Sequence, residues 1–379
     1  NMNMLNEQAV SNLIHELLTI DLEEDVFNLL QKYNLLIDED WLNYGDKENN
    51  VGFFNAQQSD PMGALVEKIV NAQDHSLINK AHMAHDMDDL EAEHTVPQSM
   101  FDAAEKYFGV PSNGLANMLS SERSKLARDV AQVVFSGNKP DELSGFPTIT
   151  IVDKGEGQNP DNFPKSFCSL GERNKVDIPF VQGQYNMGST GAVIFSSPKH
   201  NFQTIISKRN PELEGAQPEW GVTVIRKHRD ENNEYFESYK YLAPGGQILR
   251  TNLVNLPAWF SDSKVTNQSL DYGTVVRLYE YQLTNNRTLA TTDFYRTICR
   301  RLFKTALPIN IVETRDYKGH SLETTMNGSS VRLEENKDIL EPNFPVYETR
   351  EVDNVGLIRV TIYAFREEVD VDHWTSNNE

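Results

Sequence analysis

Cysteine is nearly absent. Cys168 and Cys299 are the two thiols in 379 residues, too few for a disulfide framework or a cysteine zinc site, and a reducing, cytoplasmic setting is expected. Long apolar runs are missing as well: no stretch of ~18 apolar residues occurs, so no membrane-spanning helix is expected. The opening NMNMLNEQAV has neither the basic nor the apolar region of a secretion signal. Positive charge is scarce in the first half. Residues 1–200 carry 14 Lys and Arg against 30 Asp and Glu, whereas residues 201–379 carry 21 against 26. Nucleic-acid affinity comes mainly from neutralising phosphates, so the first half is a poor DNA surface. If phosphate is bound there, backbone amides, a metal ion or a few placed side chains must hold it.

What is present is an ordinary globular composition, 39% hydrophobic and 24% charged, with length for two domains or one large domain and an appendage. Residues 9–34 read as two short helices, AVSNLIHELLTI and EEDVFNLLQKYN, followed by an acidic, Asn-rich stretch to about 58. SDP at 59–61 is a helix start, with Ser or Asp as cap and Pro in the first turn, and the helix is expected to run to about 79. Further helices are expected at about 98–108 and 113–136. FPTITIVD at 146–153 is a short β-branched run, a buried strand by composition. Gly-rich loops follow to about 188. From 201 strands dominate: FQTIISK, WGVTVIRK, YFESYKYL and GTVVRLYEY. A helix at about 291–305 and the strand PINIVET come next. MNGS then reads as a hairpin turn in a β-rich tail whose clearest strand is GLIRVTIYAF. Helices first and a mostly antiparallel sheet afterwards predict an α+β sandwich rather than a doubly wound fold.

Four pieces carry chemistry. In ALVEKIVNAQDH, residues 64–75, Glu67, Asn71 and Asp74 recur at intervals of four and three. That spacing stacks a carboxylate, an amide and a second carboxylate on one side of a helix, within roughly 60° of each other. Leu65, Ile69 and Ala72 turn to another side, and a solvated polar stripe is the plain alternative. IVDKGEG sets Asp153 at a strand end beside Gly155 and Gly157, where the backbone can approach a ligand closely; an ordinary turn is the plain alternative. GQYNMGSTGAVIFS places Gly183, Gly188 and Gly191 before an apolar helical run, a phosphate cradle of N–H groups and helix dipole that needs no basic residue. It is neither a P-loop nor a dinucleotide fingerprint. Last, YGTVVRLYEY opens a strand with Gly273 and Thr274.

In this order the pieces resemble the GHKL ATPases, the superfamily of DNA gyrase, the MutL mismatch-repair proteins, the heat-shock chaperone ATPases, the MORC proteins and histidine kinases. Glu67, Asn71 and Asp74 match its E-x-x-x-N-x-x-D box, DKGEG its D-x-G-x-G box, GQYNMG its G-x-x-G-x-G box and GT its late Gly-Thr strand, over about residues 60–316. The resemblance implies a Bergerat fold, an antiparallel sheet covered by helices with ATP held between. It implies an N-terminal helical strap over 1–58, the ATP-binding domain over 59–316 and a β-rich appendage over 317–379. Asn71 would coordinate Mg²⁺, Asp153 would accept the adenine amino group, and Thr274 would support the same network. Gly155 and Gly157 would border the nucleotide, and Gly183, Gln184, Asn186, Gly188, Ser189 and Gly191 would shape the phosphate loop. Residues 158–187 would form a lid, Asp74 would hold the helix face in place, and Glu67 would be the general base for the attacking water. The implied activity is slow Mg²⁺-dependent ATP hydrolysis driving a conformational or dimerisation switch, with a homodimer and a protein effector as partners. Two departures stand out. His75 occupies a position that is usually Ala and is expected to crowd the pocket. Asn186 replaces the middle glycine of the Gly-rich box, although Asn tolerates a left-handed backbone.

Other readings compete. HELLT, with His15, Glu16 and Thr19, is similar to the phosphoacceptor box of histidine kinases, but the helices around it are only about ten to fourteen residues long, short for a dimerisation hairpin. His82, His85, Asp86 and His94 are zinc-type ligands without a recognised spacing, and a flexible acidic insertion is the plain alternative. Arg296, Arg300 and Lys304 form an i, i+4, i+8 stripe facing solvent, a partner or nucleic acid. No nuclease, topoisomerase or kinase effector is recognisable.

Overall fold

The computed structural model describes residues 4–56, 60–140, 142, 145–170, 177–182, 191–230, 232–261, 266–283, 289–319, 322–371 and 374. Along the chain come α1 (Glu7–Thr19), α2 (Glu23–Lys32), β1 (Trp41–Asn43), α3 (Val51–Asn55), α4 (Pro61–Met83), α5 (Met100–Phe108), α6 (Ser120–Ala127), β2 (Ala131–Gly137) and β3 (Pro147–Asp153). Then follow β4 (Gln203–Lys208), β5 (Trp220–Asp230), β6 (Asn233–Leu242), β7 (Leu249–Thr251), β8 (Leu256–Ser261), β9 (Thr266–Leu270) and β10 (Gly273–Leu278). The last elements are α7 (Tyr295–Arg301), β11 (Ile309–Glu313), β12 (Glu323–Met326), α8 (Ser329–Glu335), β13 (Val346–Val352) and β14 (Gly356–Ile362).

Among the described residues, ten strands form one sheet in the order β1-β6-β5-β4-β10-β3-β2-β11-β12, with β7 paired to β5. Neighbours run antiparallel except β11 against β2, which is parallel. The protein is therefore mixed α+β, built on a large and mostly antiparallel sheet. β1 precedes residue 59 and β12 follows residue 316, so both flanking segments add a strand to the sheet of the central one. β8–β9 and β13–β14 pair as separate hairpins.

Strand period explains how both faces are used. Ile149, Ile151, Ile205 and Val276 point to one side of the sheet, while Val152, Ile206 and Val275 point to the other. The second face is covered by α1 and α2, whose Val10, Leu13, Ile14, Leu17, Val26 and Leu30 recur at helical spacing and are buried there. His15 sits half-buried on a helix that lies flat on the sheet. The first face is covered by α4 and α5. With both faces covered, the central strands read as near-continuous apolar runs. At the start of α4, Asp60 accepts hydrogen bonds from the N–H groups of Met62 and Gly63, both at 3.1 Å, and Pro61 opens the first turn. No helix among the described residues is long and apolar enough to cross a membrane.

Several expected elements differ. The stretch expected as one helix over 113–136 divides into α6 and β2, because AQVVF is fully buried between β3 and β11 and pairs with both. Tertiary pairing overrides the local helical pattern. MNGS is not a hairpin turn: Gly328, at φ 87, leads into α8, whose Val331 and Leu333 are buried. The hairpin of the tail is β13–β14, turning at 353–355. The helix expected over 291–305 is a π-turn, Ala290–Phe294, followed by α7, which ends at Arg301. Thr305, Ala306 and Leu307 are already buried on the way into β11, so Lys304 lies off the helix and the basic stripe is not continuous. Lys304 instead sits 5.1 Å from the Phe101 ring centroid.

A buried ion pair closes the far side of the sheet. Glu313 and Arg315 are 0% and 2% exposed and 2.9 Å apart. Glu313 also accepts from the Ala290 N–H at 3.0 Å, and Arg315 donates to the Asn138 carbonyl at 2.8 Å. Removing the carboxylate breaks a buried, hydrogen-bonded ion pair. Glu313→Ala should therefore lower stability by about 3–5 kcal/mol, read as a lower urea midpoint with an unchanged slope.

Candidate functional site

Three strands meet in one polar row. Register sets Asp153 of β3 opposite Thr274 of β10, and Thr274 opposite Ser207 of β4. All three share the sheet face that α4 covers. Ser207 Oγ donates to the Gly273 carbonyl at 3.0 Å and accepts from the Gln158 N–H at 2.9 Å. Its 2.9 Å contact with Thr274 Oγ1 then has Thr274 as donor, which leaves the threonine oxygen its lone pairs. Asp153 is buried. Its Oδ1 accepts from the Gly155 N–H at 2.9 Å and its Oδ2 lies 3.4 Å from His75 Nδ1.

The turn after β3 is tightly fitted. A Cβ on Gly155 would lie 2.5 Å from His75 Cβ and 2.7 Å from Asp153 Oδ1. Gly157 has φ +64, and a Cβ there would overlap the Lys208 carbonyl. The two glycines thus let the turn pass under α4 and against β4. Glu156, held between them, is turned inward. It is 7% exposed, and its Oε2 has no hydrogen-bond partner among the described residues. Burial raises its carboxyl above the ordinary value, against the opposing charges of His75 and Arg209.

These groups border a cleft of about 750 Å³, counting the part open to solvent. α4 supplies Lys68, Asn71, Ala72 and His75; the floor is Ile151, Ile205 and Val276; Asp153, Glu156, Gly157, Gln158 and Thr274 form the polar rim, with Ser166 and Phe167 opposite. Lys68 is 6% exposed, and burial lowers its amine to about 7, opposed by the Glu67 carboxylate. The arrangement suits a flat, largely apolar ligand that offers an N–H to Asp153.

The residues singled out from the sequence are distributed as follows. Asn71, Asp153, Gly157 and Thr274 line the cleft, and Gly155 lies in the turn beneath it. Glu67 is half-buried, one turn before Asn71, outside the lining. Asp74 is 0% exposed, and its Oδ1 accepts from the Gln182 N–H at 3.2 Å. The polar side of α4 is therefore not a solvated stripe. Gly191 is buried, and the apolar run after it forms only a 3-10 turn, Val193–Phe195, too short to carry the dipole of a full helix. Gly183, Gln184, Asn186, Gly188 and Ser189 lie outside the described residues. Part of the expected lid is core: Phe163 is fully buried, with its ring 5.0 Å from that of Phe167, in a cluster with Tyr44 and Phe54. His82, His85, Asp86 and His94 do not assemble. The Asp86 carboxylate is taken by Lys106 and Tyr107, each at 2.6 Å, and His85 pairs with Asp88 at 3.2 Å. No group of three or more His, Cys, Asp or Glu is placed to hold a metal ion among the described residues.

Sequence reasoning passed over Lys68, Glu156 and Ser207. Lys68 had a signal, since its i−4 and i+4 neighbours are Ala64 and Ala72, both buried. Compared with known proteins, the chain matches no family model and no curated protein.

The low value of Lys68 has a consequence for stability. The unfolded chain keeps that proton up to an ordinary 10.5, whereas the folded chain releases it near 7. Between those values the unfolded state binds more protons, so stability rises with pH, by at most about 1.4 kcal/mol per unit. Urea midpoints compared at about pH 7 and 9 should show this rise in the wild type. The Lys68→Met variant should lose that part of it.

Proposed function

We propose that this chain is a Mg²⁺-dependent ATP-binding protein of the GHKL type that hydrolyses ATP slowly and uses the cycle as a conformational or dimerisation switch. The supporting observation is the convergence of Asn71, Asp153 and Thr274, from three distant stretches of sequence, on one cleft between α4 and the sheet. In this reading the helix-covered antiparallel sheet is a Bergerat fold. The apolar floor takes the adenine ring, Asp153 accepts its amino hydrogen, and Thr274 keeps an acceptor beside it.

The residues present fit the metal as well. Asn71 offers a single amide oxygen from the cleft wall, which suits Mg²⁺, an ion that takes few protein ligands and keeps phosphate oxygens and waters. When bound, the ion supplies charge neutralisation for the phosphates. Glu67, one turn away on the same helix, orients and deprotonates the water nucleophile. Asp74 ties the chain at Gln182 to α4, immediately before the Gly-rich stretch at 183–191. His75 must loosen from Asp153 to admit the base.

Calorimetry with a non-hydrolysable ATP analogue and Mg²⁺ tests the reading, with binding expected and ATP preferred to GTP. No heat and no thermal shift at millimolar nucleotide would remove it. Glu67→Ala should keep ATP affinity while hydrolysis falls on the order of 10²–10⁴-fold. Asn71→Ala should lose the Mg²⁺-dependent part of binding. Light scattering with and without nucleotide should show dimer formation or compaction, and an unchanged monomer would point to recruitment of an effector as the output.

A further inference from the structure

Glu156 has no role in the scheme above, yet its placement asks for one. Its side chain is more than nine-tenths buried, it lines the cleft within one turn of chain from Asp153, and its Oε2 has no hydrogen-bond partner among the described residues. Buried polar atoms are ordinarily paired, so an unpaired one on a residue that lines a cleft marks a position for a ligand atom. The charged and titratable groups facing it are His75 on α4, Asp153 at the end of β3 and Arg209 just after β4; Lys68 lines the same cleft. Burial favours the neutral acid, and the neighbouring Asp153 carboxylate acts in the same direction. A neutral carboxyl group carries an O–H donor, which an ionised one lacks.

The cleft therefore presents two different groups close together, an acceptor on Asp153 and a donor on Glu156. Adenine carries the complement, an amino donor flanked by the ring nitrogens N1 and N7, both acceptors. Guanine carries a carbonyl in place of the amino group, which Asp153 repels. Resting on the ATP reading above, we propose that Glu156 is a base-reading residue, its carboxyl group giving a hydrogen bond to the ring nitrogen beside the adenine amino group that Asp153 accepts.

The test is displacement of a fluorescent non-hydrolysable ATP analogue, with Mg²⁺, by ATP, 1-deaza-ATP, 7-deaza-ATP and GTP. Each deaza compound replaces one ring nitrogen by C–H. One of the two should compete on the order of tenfold more weakly than ATP, because it leaves the Glu156 donor unpaired. Glu156→Gln, whose amide N–H still donates, should keep that discrimination. Glu156→Ala should bind ATP and the weaker deaza compound alike. Wild-type affinity should fall as pH rises through the Glu156 titration, and Glu156→Gln should lack that part of the fall. Equal competition by ATP and both deaza compounds overturns the inference, as does discrimination that survives in Glu156→Ala. The wild-type comparison needs no variant, so a misfolded variant leaves the test intact. If the fluorescent analogue itself does not bind, or GTP competes as well as ATP, the ATP reading fails and this inference with it. If the analogue binds and the deaza compounds match ATP, only the inference fails.

Discussion

The seating of α4 on β2 and β3 is the contact on which the site depends. Ala64, Leu65, Ile69, Ala72, Leu77, Ile78 and Ala81 are buried along it, and three of these are alanines that let helix and sheet approach closely. Each fully buried Leu or Ile contributes about 1.5–3 kcal/mol relative to exposure. That apolar gain opposes the cost of taking Lys68, Gln73, Asp74 and Asn79 out of water on the same helix. Hydrogen bonds recover much of the remainder. Gln73 donates to Thr305 Oγ1 and to the Leu307 carbonyl, both at 2.8 Å, and Asn79 accepts from Asn210 at 2.8 Å. The polar groups therefore tie α4 to the approach to β11 and to the chain after β4. The height of Asn71 and His75 over Asp153 follows from those ties.

The sheet supplies the other half of the geometry. β10 lies between β3 and β4, so a polar row across the three strand ends needs only matching register and the two-residue strand period. A slip of one residue in β10 would turn Thr274 toward α1 and α2 and bring Val275 into the cleft. The opposite face resists that slip, because Val152, Ile206 and Val275 are already packed with α1 and α2 in a dry core. The N-terminal helices thus hold the register of a site that they do not touch.

Local signals explain what could be read from the sequence. Asp60-Pro61 marks the start of α4, and β-branched runs mark β3, β4, β5 and β10, because caps and apolar periods act over a few residues. The polar spacing on α4 and the Asp-Gly turn after β3 were legible for the same reason. β2 was not. Its AQVVF follows a helix-forming stretch, and one of the two strands that flank it, β11, comes about 180 residues later. Ser207 was hidden in FQTIISK, since its meaning comes from facing Thr274. Glu156 looked like a spacer between two glycines, and only the overlying helix and the chain after β4 bury it. The tail was misread at Gly328, where a positive φ serves a helix start as readily as a turn.

Lys68, Glu156 and Asp153 are ionisable groups held together out of water in one cleft, and gatherings of that kind cluster where proteins bind or react. Burial here acts on the charges themselves. It lowers the Lys68 amine to about 7 and raises the Glu156 carboxyl, so each is pushed toward its uncharged form. A group shifted toward its neutral form costs the fold less than a bare buried charge would. Each keeps a proton-transfer capacity that an apolar residue lacks: the amine can take a proton beside an anion, and the acid can give a hydrogen bond to a ring nitrogen. A polyanionic ligand with an aromatic base would favour both changes at once. The cleft is then a source of selectivity, because an uncharged ligand would not serve the Lys68 amine and a non-aromatic one would not serve the Glu156 acid.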